Sequence, residues 1–135
     1  MNALEREYLS GYFHDSVLGD WHYDQTSHTL MLTLQCDWEA AKNGGKLSDE
    51  RYTYRVFFEG IQSFRCDTEK NLKNFPLFWF DSGECTETDD GQIRYRMRLN
   101  RGSAEIVCRD IRVECARGEL LPPKRSEKGY YTYEI

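Results

Sequence analysis

The sequence predicts a mainly β protein, α+β at most, folded as a single antiparallel sheet or sandwich-like domain with a short N-terminal helix. Hydrophobic and polar residues alternate along most segments between residues 16 and 115, which is typical of strands with one buried face. Helical spacing is confined mainly to the N-terminus. A chain of 135 residues suits one domain. We assign residues 1–11 to the helix, 12–115 to the antiparallel β body and 116–135 to a tail.

The first elements are a helix and a hairpin. In the helix, Leu4 and Tyr8 lie at helical spacing, and a glycine at position 11 is a suitable stop. From residue 16 the period changes to two. A turn between residues 24 and 29 sets Tyr23 opposite Leu30 and Trp21 opposite Leu32, so that both apolar faces lie on the same side.

The central segments are a loop and two or more strands. "DWEAAKNGGKLSDE" is mostly loop, with one helical turn capped by Asp37 and ended by Gly44. "RYTYRVFFEG" is a strand with Val56 and Phe58 inward, and "EGIQSFRC" is a turn or bulge at Gly60 followed by another strand. "NFPLFWF" is continuously apolar, which fits either burial on both faces or contact with a partner.

A second hairpin follows, and we predict a three-residue loop at residues 89–91, whose final glycine suits a left-handed position. This loop sets Cys85 opposite Tyr95 and Gly83 opposite Met97. After "NRGS" the chain returns with Leu99 paired to Ala104. Alternation slips after Cys108, which indicates a bulge at residues 109–110. The predicted core consists of the inward residues Trp21, Tyr23, Leu30, Leu32, Leu34, Val56, Phe58, Tyr95, Met97 and Ile106.

The composition limits the function classes. A net charge of −5 and a pI near 5.2 argue against a nucleic-acid binder and favour a basic partner. With no signal peptide and no apolar run near the ~20 residues of a membrane span, we expect a cytoplasmic protein without membrane association. Five cysteines without a CxxC pair indicate free thiols in a reducing compartment rather than a zinc site. No cofactor motif is present, and we expect no cofactor.

Two candidate sites lie in "YFHDSVLGDWHYD". Asp20, His22 and Asp24 share one face of the predicted strand, where two carboxylates and an imidazole could bind a divalent metal, although such a row is also the ordinary solvent face of a strand. His14 and Asp15 precede the strand and form the second candidate. They could contact a ligand or partner, or could satisfy backbone groups where the chain enters the sheet.

Basic and aromatic residues supply the other candidates. Arg94, Arg96 and Arg98 form a row that could bind a phosphate or carboxylate. The predicted register sets Glu84 opposite Arg96 and Glu105 opposite Arg98, which favours cross-strand ion pairs instead.

Trp79 in "FPLFWF" and Tyr131 in "GYYTYEI" are candidates for protein contacts, because aromatic side chains are enriched at interfaces.

Four segments resemble those of a known group of proteins. They are the aromatic-His-Asp-Ser entry into the first hairpin and the later segments "TLMLTL", "VFFEGIQSF" and "AEIVCRDIRVEC". The chain resembles small uncharacterised bacterial domains, some of which are immunity proteins of polymorphic toxin systems, over the span from Tyr12 to about Cys115. The resemblance implies a cytoplasmic, mainly antiparallel β domain without catalysis that neutralises a toxin by binding it. The acidic charge would fit a basic nuclease. His14 and Asp15 match the entry motif, where the resemblance implies a structural role.

The favoured function is therefore a non-enzymatic protein-binding module of the immunity type that neutralises or scaffolds a basic partner. Two alternatives remain open at this point. One is a small-ligand or anion-binding protein that uses the arginine row, and the other is a metal-dependent hydrolase. The sequence is compatible with a homodimer and does not name the partner.

Overall fold

The computed structural model describes residues 1–42, 50–68 and 78–123. Within these ranges the protein is mainly β, as predicted, with a short N-terminal helix. The strands are β1 Val17–Asp24, β2 Thr29–Gln35, β3 Thr53–Glu59, β4 Ser63–Thr68, β5 Phe78–Glu87, β6 Ile93–Leu99, β7 Gly102–Cys108 and β8 Asp110–Cys115. The helices are α1 Ala3–Glu7, which continues as a π-helical turn Tyr8–Tyr12, α2 Asp37–Lys42, and a 3-10 turn Glu50–Tyr52. Within these described ranges, no helix is both long and apolar enough to cross a membrane.

The strands form one antiparallel sheet in the order β4-β7-β6-β5-β1-β2-β3-β8. Two pairs of strands are halves of longer, bent strands, because β3 runs into β4 through residues 60–62 and β7 runs into β8 through Arg109. β3 pairs with β8 and β4 pairs with β7, so the bent strands stay side by side. At the corner, the Arg109 N–H is shared between the carbonyls of Glu59 (2.9 Å) and Gly60 (3.2 Å). Since β5 pairs with β1 and the two bent strands pair with each other, the pairings run around the core as a ring. In the described ranges only the outer sides of β4 and β8 have no partner strand.

The N-terminal helix packs against β5. Tyr95 on β6 is fully buried, and its hydroxyl donates to the carbonyl of Leu9 at 2.8 Å. Gly83 lies at this crossing, where an added Cβ would come within 2.2 Å of the Leu9 carbonyl oxygen. The sequence therefore places a glycine where the helix approaches the strand most closely.

The same helix covers the outer edge of β8. The side chain of Glu5 accepts a hydrogen bond from the Val113 N–H at 2.7 Å and also closes a capping box with Asn2. The N-terminal ammonium of Met1 lies 2.6 Å from the Asp110 carboxylate. One edge of the sheet is thus closed by side chains, which is a common way to prevent edge-to-edge association.

Both predicted hairpin turns are confirmed. Tyr23 pairs with Leu30 and Trp21 with Leu32, and Cys85 pairs with Tyr95 across a loop that ends at a left-handed Gly91. The irregularity predicted at residues 109–110 is the corner between β7 and β8. All five cysteines are free.

Two expectations are corrected. Leu99 pairs with Gly102 rather than with Ala104, because a two-residue turn joins β6 to β7. That turn is held to β5 by Asn100, whose Oδ1 accepts from the Trp79 N–H at 3.0 Å.

The second correction concerns the core. Trp21 is only half-buried, and Tyr23 is 44% exposed and lies outside the core. Both side chains point to the inner face of the sheet, but they lie near the end of β1, where the described part of the chain does not cover them fully.

Candidate protein-binding surface

The turns at one end of the sheet come together into a continuous surface. The Ile61 N–H donates to the His28 carbonyl at 3.1 Å, which joins the β3–β4 corner to the β1–β2 turn. Asp90 in the β5–β6 turn interacts with Gln62 of the same corner. We call this region, formed by residues 24–29, 60–62 and 87–93, the turn end.

A row of aromatic rings runs from the core to the turn end. The ring centroids of Tyr95 and Phe58 are 5.8 Å apart, those of Phe58 and Trp21 are 6.4 Å apart, and those of Trp21 and Phe64 are 5.0 Å apart. The row begins in the core with Tyr95 and Phe58, which are fully buried, and ends at Phe64, which is 41% exposed. Tyr23 stands beside Trp21 on β1, and its hydroxyl lies 3.1 Å from Nδ1 of His28. We call Trp21, Tyr23 and Phe64 the aromatic patch.

Acidic side chains lie in the turns next to this patch: Asp24 directly follows Tyr23 on β1, and Glu87, Asp89 and Asp90 lie at the β5–β6 turn. Asp24, Glu87, Asp89 and Asp90 are all exposed, and within the described ranges none of them forms an ion pair. Hydrogen bonds, chiefly from the Thr26 backbone N–H to Asp24 and from the Thr88 side chain to Asp90, hold the pKa of each carboxyl below its usual value. These two groups therefore remain negatively charged at neutral pH.

Arg109 lies at the corner beside Gly60. The pKa of the following residue, Asp110, is lowered chiefly by its hydrogen bond with the Met1 ammonium and only slightly by Arg109. Other arginines close to the turn end are paired with carboxylates outside it. Arg94, which directly follows the turn end, is paired with Glu105, and Arg112, which lines a groove with Asp24, is paired with Glu59 and Glu114. The turn end consequently keeps a net negative charge next to exposed rings, a combination that suits a basic protein surface.

The predicted metal row is divided by a bulge. The register between β1 and β2 shifts between Leu18 and Trp21. His22 and Asp24 line a shallow groove of about 400 Å³, which Asp20 does not line. Arg112 lines the same groove with its guanidinium carbon 4.3 Å from the centre of the Phe57 ring, and this positive charge opposes cation binding. In the described ranges no group of three or more His, Cys, Asp or Glu side chains is placed to hold a metal ion.

His14, Asp15 and Trp79 are brought together where β1 meets β5. Nδ1 of His14 lies 2.9 Å from the carbonyl oxygen of Asp81, and the imidazole is 3.5 Å and 3.7 Å from the carboxylates of Asp15 and Asp81. The Asp15 N–H donates to the Phe80 carbonyl at 2.9 Å, so this pair ties the strand entry to β5.

Trp79 lies two residues before Asp81 and is 38% exposed. The participation of Asp81 was missed by sequence reasoning, because no local pattern links positions 14 and 81. Tyr131 lies outside the described residues.

The arginine row lies on the outer face of β6. Glu105 lies 3.5 Å from Arg94 and 3.0 Å from Arg96, which replaces the predicted pairing of Glu105 with Arg98 because the β6–β7 register differs. Arg98 and Arg96 line a groove of about 490 Å³ together with Glu84 and Glu105. Two carboxylates in this groove oppose an anionic ligand.

A buried polar network was also missed. Glu39 on α2 is 6% exposed and accepts a hydrogen bond from the Tyr54 hydroxyl at 2.9 Å. Arg117 donates to Glu39 and to the Tyr54 oxygen, the latter at 2.9 Å. Burial raises the pKa of Tyr54. The network joins α2, β3 and the turn after β8, and its depth in the protein indicates a structural role.

No protein-family model matches the chain, and no curated protein matches it. Among solved structures, the crystal structure of an uncharacterized protein from Neisseria gonorrhoeae is similar, with a TM-score of 0.54 and 19% sequence identity. The match covers 76% of this chain and 92% of that chain. At this identity the likeness shows a shared fold.

Proposed function

We propose that this protein is a non-enzymatic protein-binding module that holds a basic partner at the turn end. The observation that carries the proposal is the aromatic patch, since Tyr23 and Phe64 are 44% and 41% exposed beside Trp21. Phe64 packs on Trp21, and the hydroxyl of Tyr23 contacts His28, so both rings are partly held in place and less side-chain entropy is lost when a partner covers them.

The charge next to the patch selects the partner. Asp24, Asp89 and Asp90 are exposed and remain without an ion-pair partner within the described ranges. Such a group of charges attracts a basic protein over a distance of about 8–10 Å at physiological salt and slows the approach of acidic proteins. The arginine groove and the His22 groove are weaker candidates, because each contains charges of the wrong sign for its ligand.

The biological setting proposed here is a bacterial cytoplasm, where the module would neutralise a basic toxin in the manner of an immunity protein. Two features support this setting. The five free thiols suit a reducing compartment, and the net charge of −5 complements a basic nuclease.

The test begins with purification of a tagged protein from its native host and identification of any co-purifying basic protein. That partner is then purified, and its affinity is measured by isothermal titration calorimetry. We expect Tyr23→Ala and Phe64→Ala each to weaken binding by at least about tenfold, as is usual for a central aromatic contact. Raising the salt from about 50 mM to about 500 mM is expected to weaken binding further.

Trp79→Ala is the matched control. The exposed fraction of Trp79 is similar to that of Tyr23 and Phe64, but Trp79 lies near the N-terminal end of β5, whereas the turn end lies at the C-terminal end of that strand. This change is expected to alter the affinity by less than about twofold. An acidic partner, or a basic partner whose affinity is insensitive to both aromatic substitutions, would contradict the proposal.

A further inference from the structure

β4 differs from the other strands in its exposure. Residues 63–67 are all exposed, which means that side chains on both faces of the strand contact solvent. Within the described ranges β4 pairs only with β7. A strand held mainly by its backbone hydrogen bonds to one neighbour gains stability when a second strand pairs with its free edge.

The two edge strands of the sheet, β8 and β4, differ in how their outer backbone groups are covered. At β8, Glu5 accepts from the Val113 N–H and the Met1 ammonium contacts Asp110, so the N-terminal segment covers that edge. In the part of the chain that the structure describes, no corresponding side chain bonds to the backbone edge of β4. Alternate N–H and C=O groups of β4 face away from β7. Among the described residues none forms a hydrogen bond with these groups, which can therefore pair with a partner strand.

The sequence of β4 is complementary to itself. Arg65 and Asp67 are two residues apart on the outer face, 2.9 Å from each other, and Cys66 stands between them on the inner face. If a second β4 pairs antiparallel about Cys66, each Arg65 faces an Asp67 of the other copy. Opposite charges at facing positions stabilise a strand pair, and like charges destabilise it.

We propose that two copies of this chain associate through β4, in an antiparallel pair with its two-fold axis at Cys66. The interface is isologous, because the same strand and the same charge pair serve both copies. The two Cys66 residues face each other with Cα atoms about 4.5–5.5 Å apart. The pairing uses the backbone edge and the outer charges of β4. Phe64 of the aromatic patch is on the same strand, but its ring packs on Trp21, and dimerisation and partner binding are tested with different substitutions.

A charge exchange tests the register. Sedimentation velocity under reducing conditions is expected to show a concentration-dependent dimer for the native chain. Arg65→Asp and Asp67→Arg each place like charges opposite one another and are expected to raise the dimer dissociation constant at least about tenfold. An equimolar mixture of these two variants is expected to form a heterodimer. One variant carries acidic side chains at both positions and the other carries basic side chains at both, so every facing pair across the interface is then of opposite charge.

The mixture distinguishes pairing between copies from the ion pair between Arg65 and Asp67 of one chain. Both variants lose that internal ion pair, so it does not account for a dimer that forms only in the mixture. Far-UV circular dichroism is expected to be unchanged in both, because the substituted side chains are exposed. A native chain that stays monomeric at every concentration, or a mixture no more dimeric than its components, would overturn the proposal.

Thiol cross-linking supplies a second measurement. Diamide oxidises two facing thiols to a disulfide, with loss of two protons and two electrons, and is itself reduced to the corresponding hydrazine. The expected product is a dimer linked through Cys66 in both copies, since a disulfide spans Cα distances of about 4.4–6.8 Å. Cys66→Ser is expected to abolish it while the other cysteines are kept. Cross-linking through Cys85 or Cys115 instead would disprove this register.

Discussion

The contact between Tyr95 and Leu9 shows how single residues position the N-terminal helix. The phenol is fully buried, and its hydroxyl donates to the Leu9 carbonyl at 2.8 Å. Gly83 leaves the space that this contact requires, because its added Cβ would lie 2.3 Å from the Tyr95 hydroxyl oxygen. A helix, a strand and a phenol therefore meet at one position where only hydrogen fits.

We expect Gly83→Ala to lower the free energy of unfolding by about 3 kcal/mol, because the methyl group must displace either a backbone carbonyl or a buried ring. The measurement is urea denaturation followed by circular dichroism. Gly91→Ala is the control. Nothing lies within 4 Å of its added Cβ, and only its φ of +79° opposes a side chain, so a cost of about 1 kcal/mol is expected. Equal costs for the two variants would show that the close approach at Gly83 is not the cause.

At the scale of elements, turn chemistry explains which strand pairings could be predicted. The β5–β6 hairpin was predictable because its loop ends in a glycine and its charges face each other in only one register. The β6–β7 turn was misplaced by two residues, because both registers keep Tyr95 and Met97 on the inner face. The hydrogen bonds of Asn100 to distant Trp79 select between them.

Helix α2 depends on a contact that no local pattern predicts, the buried carboxylate of Glu39 with Tyr54 and Arg117. We expect Glu39→Ala to destabilise the protein by about 3 kcal/mol, since it leaves a partly buried guanidinium and a buried phenol without their acceptor. Thermal and urea unfolding measure this effect.

Glu50→Ala is the matched control for this prediction. The Glu50 side chain is 85% exposed and lies 3.9 Å from Arg55. An exposed ion pair contributes at most about 1 kcal/mol, so the control is expected to change stability only slightly. If the two substitutions had the same effect, the buried network would have no special role in holding α2.

At the scale of the whole molecule, buried phenols make the fold sensitive to high pH. Burial raises the pKa of Tyr8 to about 12 and also raises the pKa values of Tyr12, Tyr54 and Tyr95. These residues connect the N-terminal helix to opposite sides of the ring of strands, for example through the Tyr8–Tyr54 ring contact at 5.5 Å. Ionisation of Tyr8, Tyr54 or Tyr95 would place a charge in the core, and ionisation of Tyr12 would place one directly against it.

This arrangement predicts the direction of the pH dependence. An unfolded tyrosine ionises near pH 10, so the folded state, which holds the neutral phenol, keeps this stability below about pH 10 and loses it as the pH rises toward 12. Phenolate absorbance at 295 nm from the buried tyrosines is expected to rise together with loss of the circular dichroism signal. In urea the same groups are expected to titrate near pH 10. Complete titration of all nine tyrosines in a folded protein would refute this account.

The sequence by itself determined the fold class, the positions of most strands and the free state of the cysteines, because alternation, turn residues and cysteine spacing are local properties of the chain. Tertiary structure alone decided that Tyr23 is exposed although it faces inward, that His14 contacts Asp81, and that Glu39 meets Arg117. Each of these depends on which distant segments come together and on where the ring of strands ends, and alternation along one strand contains no information about either.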